Sequence, residues 1–284
     1  MFSHAGRPTI APLVRLAFIF GLASALLYSL AIRQAEAAPQ TVARDPQALA
    51  LIASSLKALT GGVAVNDVVL QATANYVAGS DEESGTATLT ASGNQESLVQ
   101  LNLSGGSRQE IRNGPAGAWS GSDGTPHSTA TNNCWTDASW FFLALTLEAV
   151  AADPQTAVSY LGPDTSKGRP LLHLQVAHEV PAQDASVTAL ILRLSTMDIY
   201  LDPQSLLPVV LDFNVQPDTG VGASIPVEIQ FGNFQNVNGE LIPFRIQKYL
   251  QGSLLLDLVV TNVTINSGVP ASLFTLPPTT GGGQ

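Results

Sequence analysis

In the C-terminal third of the chain, apolar and polar residues alternate. Val209, Leu211, Phe213 and Val215 interleave with Val210, Asp212, Asn214 and Gln216; Val227, Ile229 and Phe231 interleave with Glu228 and Gln230; Phe244 and Ile246 interleave with Arg245 and Gln247. Strand side chains project to opposite faces with period two, so each segment is a strand with one apolar and one polar side, and one face of the sheet meets water. Asn238-Gly239 lies between the second and third of these strands and supplies the two positive-φ residues that a tight hairpin requires. Asp202-Pro203 and Gln251-Gly252 mark the neighbouring turns. The last strand, residues 254–265, departs from the pattern. Leu254, Leu256, Leu258 and Val260 share one face while Leu255, Val259, Val263 and Ile265 share the other, as in a strand that is covered on both sides or wraps round a curve.

Nearer the N-terminus the period changes. Leu49, Ile52, Ala53, Leu56 and Leu59 recur at threes and fours, with Asp45 placed to cap, Pro46 at the first helical position and Gly61-Gly62 as terminator, which predicts an amphipathic helix over 45–59. Short strands follow at 68–77, 85–91, 97–103, 108–111 and 117–119, separated by polar or glycine-rich turns at 79–83 and 104–106. The polar stretch 125–133 has little predicted structure. Residues 135–152 carry Trp140, Phe141, Phe142, Leu143, Leu145, Leu147 and Val150 around nearly the whole circumference of a helix, with Asp137 and Glu148 as the charges. A helix apolar all round must be covered, and this one is too short and too acidic for a membrane span, so burial inside the domain is expected. Asp153-Pro154 predicts a short helix ending near Gly162; 170–180 predicts a strand; 185–194 fits helix or strand. The fold class is mainly β with helices (α+β), an antiparallel meander. Neither a long internal repeat nor an interdomain linker stands out, so residues 38–276 are expected to form a single domain, with 277–284 a disordered tail.

The N-terminus supplies an address. Arg7 and Arg15 precede an uncharged apolar run from Leu16 to Ile32, and Ala35-Glu36-Ala37 follows. This is the order of a cleavable secretory signal spanning residues 1–37, with no cysteine at the cleavage site for lipid attachment, so a free periplasmic or secreted protein is expected. Removing Arg7, Arg15, Arg33 and Glu36 with that segment takes the formal net charge from −10 to −12. Such acidity disfavours nucleic acid and anionic headgroups as partners. The single Cys134 forms no internal disulfide, so stability must come from a packed core.

No catalytic motif emerges. The Gly-x-Ser-x-Gly pentad is absent, and Ser120 and Ser122 read as turn residues. Cys134 with His127 as base is outweighed by a packed thiol beside Trp135. His173 and His178, five apart on a strand, point to opposite faces, and no His-Glu-x-x-His occurs, so neither a metal nor any other cofactor is expected. Asp81-Glu82-Glu83 reads as a solvated turn, and residues 162–168 lack the order of a phosphate loop. Asp257 sits in the most apolar strand, with Arg245 or Lys248 as its cross-strand partner. A hydrolase would need Asp257, Asp137 or Glu148 clustered with a histidine in one cleft.

The closing strands bear a family resemblance. Ile199-Tyr200-Leu201-Asp202-Pro203-Gln204-Ser205-Leu206-Leu207-Pro208 is a strand, an Asp-Pro turn and the next strand; Val237-Asn238-Gly239 is the hairpin; Pro243-Phe244-Arg245-Ile246 opens the strand after it. With residues 254–265, these blocks resemble the periplasmic lipoprotein-carrier superfamily, the LolA-like half-barrels, well over 196–276 and loosely over the first helix and early strands. The resemblance implies a strongly curved antiparallel sheet, an incomplete β-barrel, whose apolar concave face is lidded by helices around a slot for acyl chains. Residues 125–196, where the lid would lie, depart most. The implied function is non-enzymatic. It is an exported carrier holding a lipid, a lipid-modified protein or another hydrophobic ligand, in transient contact with envelope membrane proteins. The alternative is an envelope sensor or protein-interaction module of the same fold. Candidate lining residues, between the sheet and the 135–152 helix, are Trp140, Phe141, Leu145, Phe213, Ile229, Phe231, Phe244, Ile246, Leu256 and Leu258.

Overall fold

The computed structural model describes residues 42–178, 184–217 and 222–278. The expected export signal over 1–37 and residues 279–284 of the expected tail lie outside the described residues, which all belong to one unit, Val42–Gln284. Its first helix, α1 (Pro46–Thr60), forms as the sequence directs. The Asp45 carboxylate accepts the Gln47 N–H at 2.8 Å, and Gly61 closes the helix at φ +63°. Ala48, Ile52 and Leu59 turn inward and are buried.

Among the described residues, thirteen strands make one sheet, each paired antiparallel with its neighbours. The first six are β1 (Asp67–Ala78), β2 (Asp81–Ser92), β3 (Glu96–Leu103), β4 (Gly106–Asn113), β5 (Ala116–Ser120) and β6 (Pro126–Ser128). The other seven are β7 (Thr156–Asp164), β8 (Leu171–His178), β9 (Met197–Leu201), β10 (Pro208–Val215), β11 (Ile225–Val237), β12 (Glu240–Leu250) and β13 (Ser253–Ile265). The order β6-β5-β4-β3-β2-β1-β13-β12-β11-β10-β9-β8-β7 consists of two meanders joined where the first strand pairs with the last. The terminal strands β6 and β7 do not pair, so the sheet is not closed into a barrel. Two further helices follow: α2 (Leu143–Ala152) sits within the crossover between the meanders, and α3 (Ala185–Ser195) connects β8 to β9 within the second meander. The segment that fitted either helix or strand is therefore helical, started by Asp184, whose carboxylate accepts the Ser186 N–H.

Two expectations fail. The predicted helix over 135–152 is helical only in α2; residues 135–142 follow an irregular path, with the half-buried Trp135 leading into side chains that are buried from Thr136 to Phe142. Apolar coverage on all sides reflects burial of an irregular segment as well as of a helix, and Phe142 at φ −144° gives α2 no capping side chain. Asp153-Pro154 does not start a helix but leads into β7. The Asp153 carboxylate accepts the Gln155 N–H at 2.9 Å and the Thr156 hydroxyl at 2.8 Å, turning the chain. Smaller differences occur at 79–83, where Asp81–Glu83 already belong to β2, and at 125–133, which contains β6 and part of a 3-10 turn (Thr131–Cys134).

The odd pattern of the last strand has a local cause. β1 pairs Gln71 with Asn262 but Ala72 with Val260, which leaves Thr261 as an extra residue whose hydroxyl donates to the Gln71 carbonyl. This bulge reverses the alternation, so Leu256, Leu258 and Val260 before it share a face with Val263 and Ile265 after it, and all five pack on the main core.

Candidate functional site

The sheet is curved enough to bring distant strands together. Trp119 of β5 and Phe213 of β10 line one cavity although their strands stand eight positions apart in the sheet order. At about 4.8 Å per strand a flat sheet would separate them by roughly 38 Å. Register fixes which residues face this concavity. Val99 pairs with Glu110, Leu101 with Arg108 and Ser97 with Arg112, so β4 turns Arg108, Glu110 and Arg112 toward the side that holds the core residues Val99 and Leu101. Trp119 pairs with Glu110 and follows the same face. On β12 the alternation Ile242, Phe244, Ile246 ends in Lys248, which puts a cation on the core-facing side. The opposite face of β3 and β4 is covered separately, by Phe274 against Leu98 and Ile111.

The result is a groove with two adjoining cavities, of about 260 Å³ and 200 Å³. Both touch Glu110, Trp119, Trp140 and Lys248. Trp140, in the irregular segment before α2, forms the shared floor; its ring carries the Lys248 ammonium at 4.5 Å and meets Phe141 edge-on at 5.5 Å. Trp119 stacks on His127 at 4.5 Å and is the most exposed aromatic of the groove, at 39 %.

The ten residues singled out from sequence all join one apolar cluster, but they divide by position. Trp140, Phe213 and Leu256 line the groove. Phe141, Leu145, Ile229, Ile246 and Leu258 are closed core, each no more than 2 % exposed. Phe231 borders a void of only about 10 Å³ at the start of α2, and Phe244 is partly buried against the cluster. Packing between α2 and the sheet is thus nearly solid, and the accessible space lies on the other side of Trp140, against β3–β5. Trp119, Glu110 and Arg112 escaped notice in the sequence, and Lys248 was considered only as a partner for Asp257, which pairs with Arg245. The signal that marks them is charge at core-facing positions of strands, visible once register is known.

A separate cavity of about 410 Å³ contains the Asp–His contact that a hydrolase would require. Asp137 Oδ1 lies 3.1 Å from His178 Nε2 and accepts from Asn94 Nδ2 at 3.1 Å. The Asp137 hydrogen bond raises the His178 pKa above the ordinary imidazole range, against the effect of burial. Its Nδ1 faces the Thr156 hydroxyl at 3.5 Å, so both ring nitrogens are engaged. Cys134 also lines this cavity, but burial pushes its thiol pKa up, away from thiolate. Both shifts run against a base and a nucleophile, since the imidazole takes up a proton more readily and the thiol gives one up less readily. Asp257 pairs instead with Arg245, Nη2 to Oδ2 at 2.8 Å, and Glu148 accepts the Val65 N–H. His173 hydrogen-bonds Asp198 on the opposite face from His178.

No family model matches the chain, and no curated protein matches it. Solved structures do resemble it. A putative outer membrane lipoprotein-sorting protein domain from Vibrio parahaemolyticus is 12 % identical at a TM-score of 0.48, over 80 % of this chain and 96 % of that one. A LolA superfamily protein from Nitrosomonas europaea is 13 % identical at 0.47, over 80 % and 97 %. A DUF1329 family protein from Desulfovibrio piger is 9 % identical at 0.49, over 82 % and 98 %. At these identities and TM-scores the likeness is one of outline and assigns no activity.

Proposed function

We propose that the chain is an exported, non-enzymatic binding protein that shelters a lipid or other apolar ligand in the groove between β3–β5 and β10–β13. One observation carries this reading. Two adjoining cavities, about 260 and 200 Å³, open onto the concave face and share the floor of Trp140 and the rim of Trp119. Pockets that hold small molecules begin at about 300 Å³ and are mostly apolar with a few placed polar groups. The two cavities together reach that scale, and Val99, Leu101, Phe213, Val215, Leu255 and Leu256 supply the apolar walls. The signal-like order of residues 1–37 supports export.

Purified protein should carry apolar material detectable by native mass spectrometry, and stripped protein should take up the neutral fluorophore N-phenyl-1-naphthylamine with a blue-shifted emission. Protein that is empty as isolated and leaves the fluorophore unshifted would overturn the reading.

A further inference from the structure

The groove is more apolar at one end than at the other. In the larger cavity Val99, Leu101, Leu255 and Leu256 form a greasy wall. In the smaller one, three buried polar atoms lack a partner among the described residues: Arg112 Nε, Asp137 Oδ2 and Thr129 Oγ1. Arg112 and Asp137 are each only 5 % exposed. Arg112 donates Nη2 to the Thr136 carbonyl at 2.8 Å, and Asp137 uses Oδ1 for Asn94 and His178. They carry opposite charge and line the same cavity, yet no ion pair joins them. Buried groups of this kind are destabilising unless something completes their hydrogen bonds. Gly117, opposite Arg112 in the β4–β5 register, keeps the place clear, since a Cβ there would stand 3.0 Å from Thr129 Oγ1 and 3.1 Å from Arg112 Cδ.

We propose that this more polar end is a head-group subsite for an amphiphile with an uncharged, hydroxylated head, a glycerol or a sugar, whose acyl chain runs along Leu101 and Leu256. The proposal rests on the reading of the groove as an apolar-ligand site. Arg112 Nε needs an acceptor and Asp137 Oδ2 needs a donor, and a hydroxyl group is both. The charges at the subsite offset one another, Arg112 against Asp137 and Lys248 against Glu110, so a head with net charge gains little there and must shed its hydration.

Displacement of N-phenyl-1-naphthylamine by four single-chain ligands with the same twelve-carbon tail, below their critical micelle concentrations, tests this. The ligands are 1-monolauroylglycerol, dodecyl glucoside, dodecanoate and dodecyltrimethylammonium. At least one hydroxylated head is expected to bind about tenfold more tightly than either charged one, the scale of one or two net hydrogen bonds. Whichever of glycerol and glucose binds more tightly identifies the source of the head. Thr129→Val should cut that preference, read as the ratio of hydroxylated to charged affinities in the same variant, about fivefold, since the substitution keeps shape and removes only the hydroxyl. Equal affinity for all four ligands, or tightest binding of a charged one, with the fluorophore still entering, overturns the subsite and leaves the groove reading standing. Fluorophore that fails to enter wild-type protein overturns both.

Discussion

His178 ends β8 between two acidic groups, Asp137 on Nε2 and, across the Thr156 hydroxyl, Asp153. Its folded pKa is raised chiefly by the Asp137 hydrogen bond, with charge from Asp137 and Asp153 adding to it. A histidine raised above its unfolded value stabilises the fold fully below about pH 6.5, and that contribution is lost as pH climbs through the folded value. Thermal melts of the wild type should therefore show a falling Tm from pH 6.5 upward. Asp137→Asn should flatten that slope and leave the high-pH Tm closer to wild type than the low-pH one; a slope unchanged by the substitution would sink the assignment. Asp137→Ala goes further, removing the acceptor that both His178 Nε2 and Asn94 Nδ2 use, at a cost of about 2 kcal/mol. Neither partner was recognisable as such from the chain. They lie 41 residues apart, and the contact depends on the curvature that brings β8 to the 135–142 segment. What could be read from composition alone was the inertness of Cys134, since a lone cysteine beside a tryptophan is most often packed, and burial holds this one in the thiol form.

Strands and turns were the most legible elements because their signals are local. Asn238 and Gly239 adopt φ +55° and +100°, and Gln251 and Gly252 adopt +51° and +78°, as two-residue hairpins demand. The misread elements are those whose state is decided by distant partners. Residues 135–142 look helical because every side chain is apolar or covered, yet what covers them is the sheet, and an irregular path serves as well. In the last strand the alternation broke because one inserted residue, Thr261, inverts parity, and nothing in the composition of Val259-Val260-Thr261-Asn262 marks a bulge. A sharper consequence concerns Gly85 in β2, opposite Leu103 of β3. A Cβ there would stand 1.9 Å from the Asn102 carbonyl oxygen, a backbone atom that cannot swing aside. Gly85→Ala should cost about 2 kcal/mol by urea denaturation through forced separation of β2 and β3. Gly232 in β11 has open space around a Cβ, and Gly232→Ala should stay within about 0.5 kcal/mol of wild type. Equal costs at the two glycines would show that strand packing near Gly85 is looser than the register requires.

At the scale of the molecule, a single open sheet has to build both a core and a groove from the same concave face. The two uses occupy different parts of it: α1 and α2 fill one part, and the Trp140 segment stops short of β3–β5 and leaves the other part accessible. Alternation told which residues face inward, but not which inward residues touch another side chain and which touch a cavity. That distinction depends on how far the sheet bends, which no local pattern encodes. It is measurable by truncation. Leu258→Ala removes a fully buried side chain and should cost about 3 kcal/mol of stability, with fluorophore affinity in the remaining folded protein little changed. Trp119→Ala removes a side chain 39 % exposed at the groove rim and should leave stability within about 1 kcal/mol while weakening uptake of N-phenyl-1-naphthylamine about tenfold. The opposite partition, with affinity lost at Leu258 and stability lost at Trp119, would place the binding space between α2 and the sheet, where only about 10 Å³ now stands open. Bound ligand should also raise Tm in proportion to the logarithm of its concentration over Kd, worth about 2.7 kcal/mol at a hundredfold excess, because the groove walls belong to strands that meet only when the sheet is fully curved.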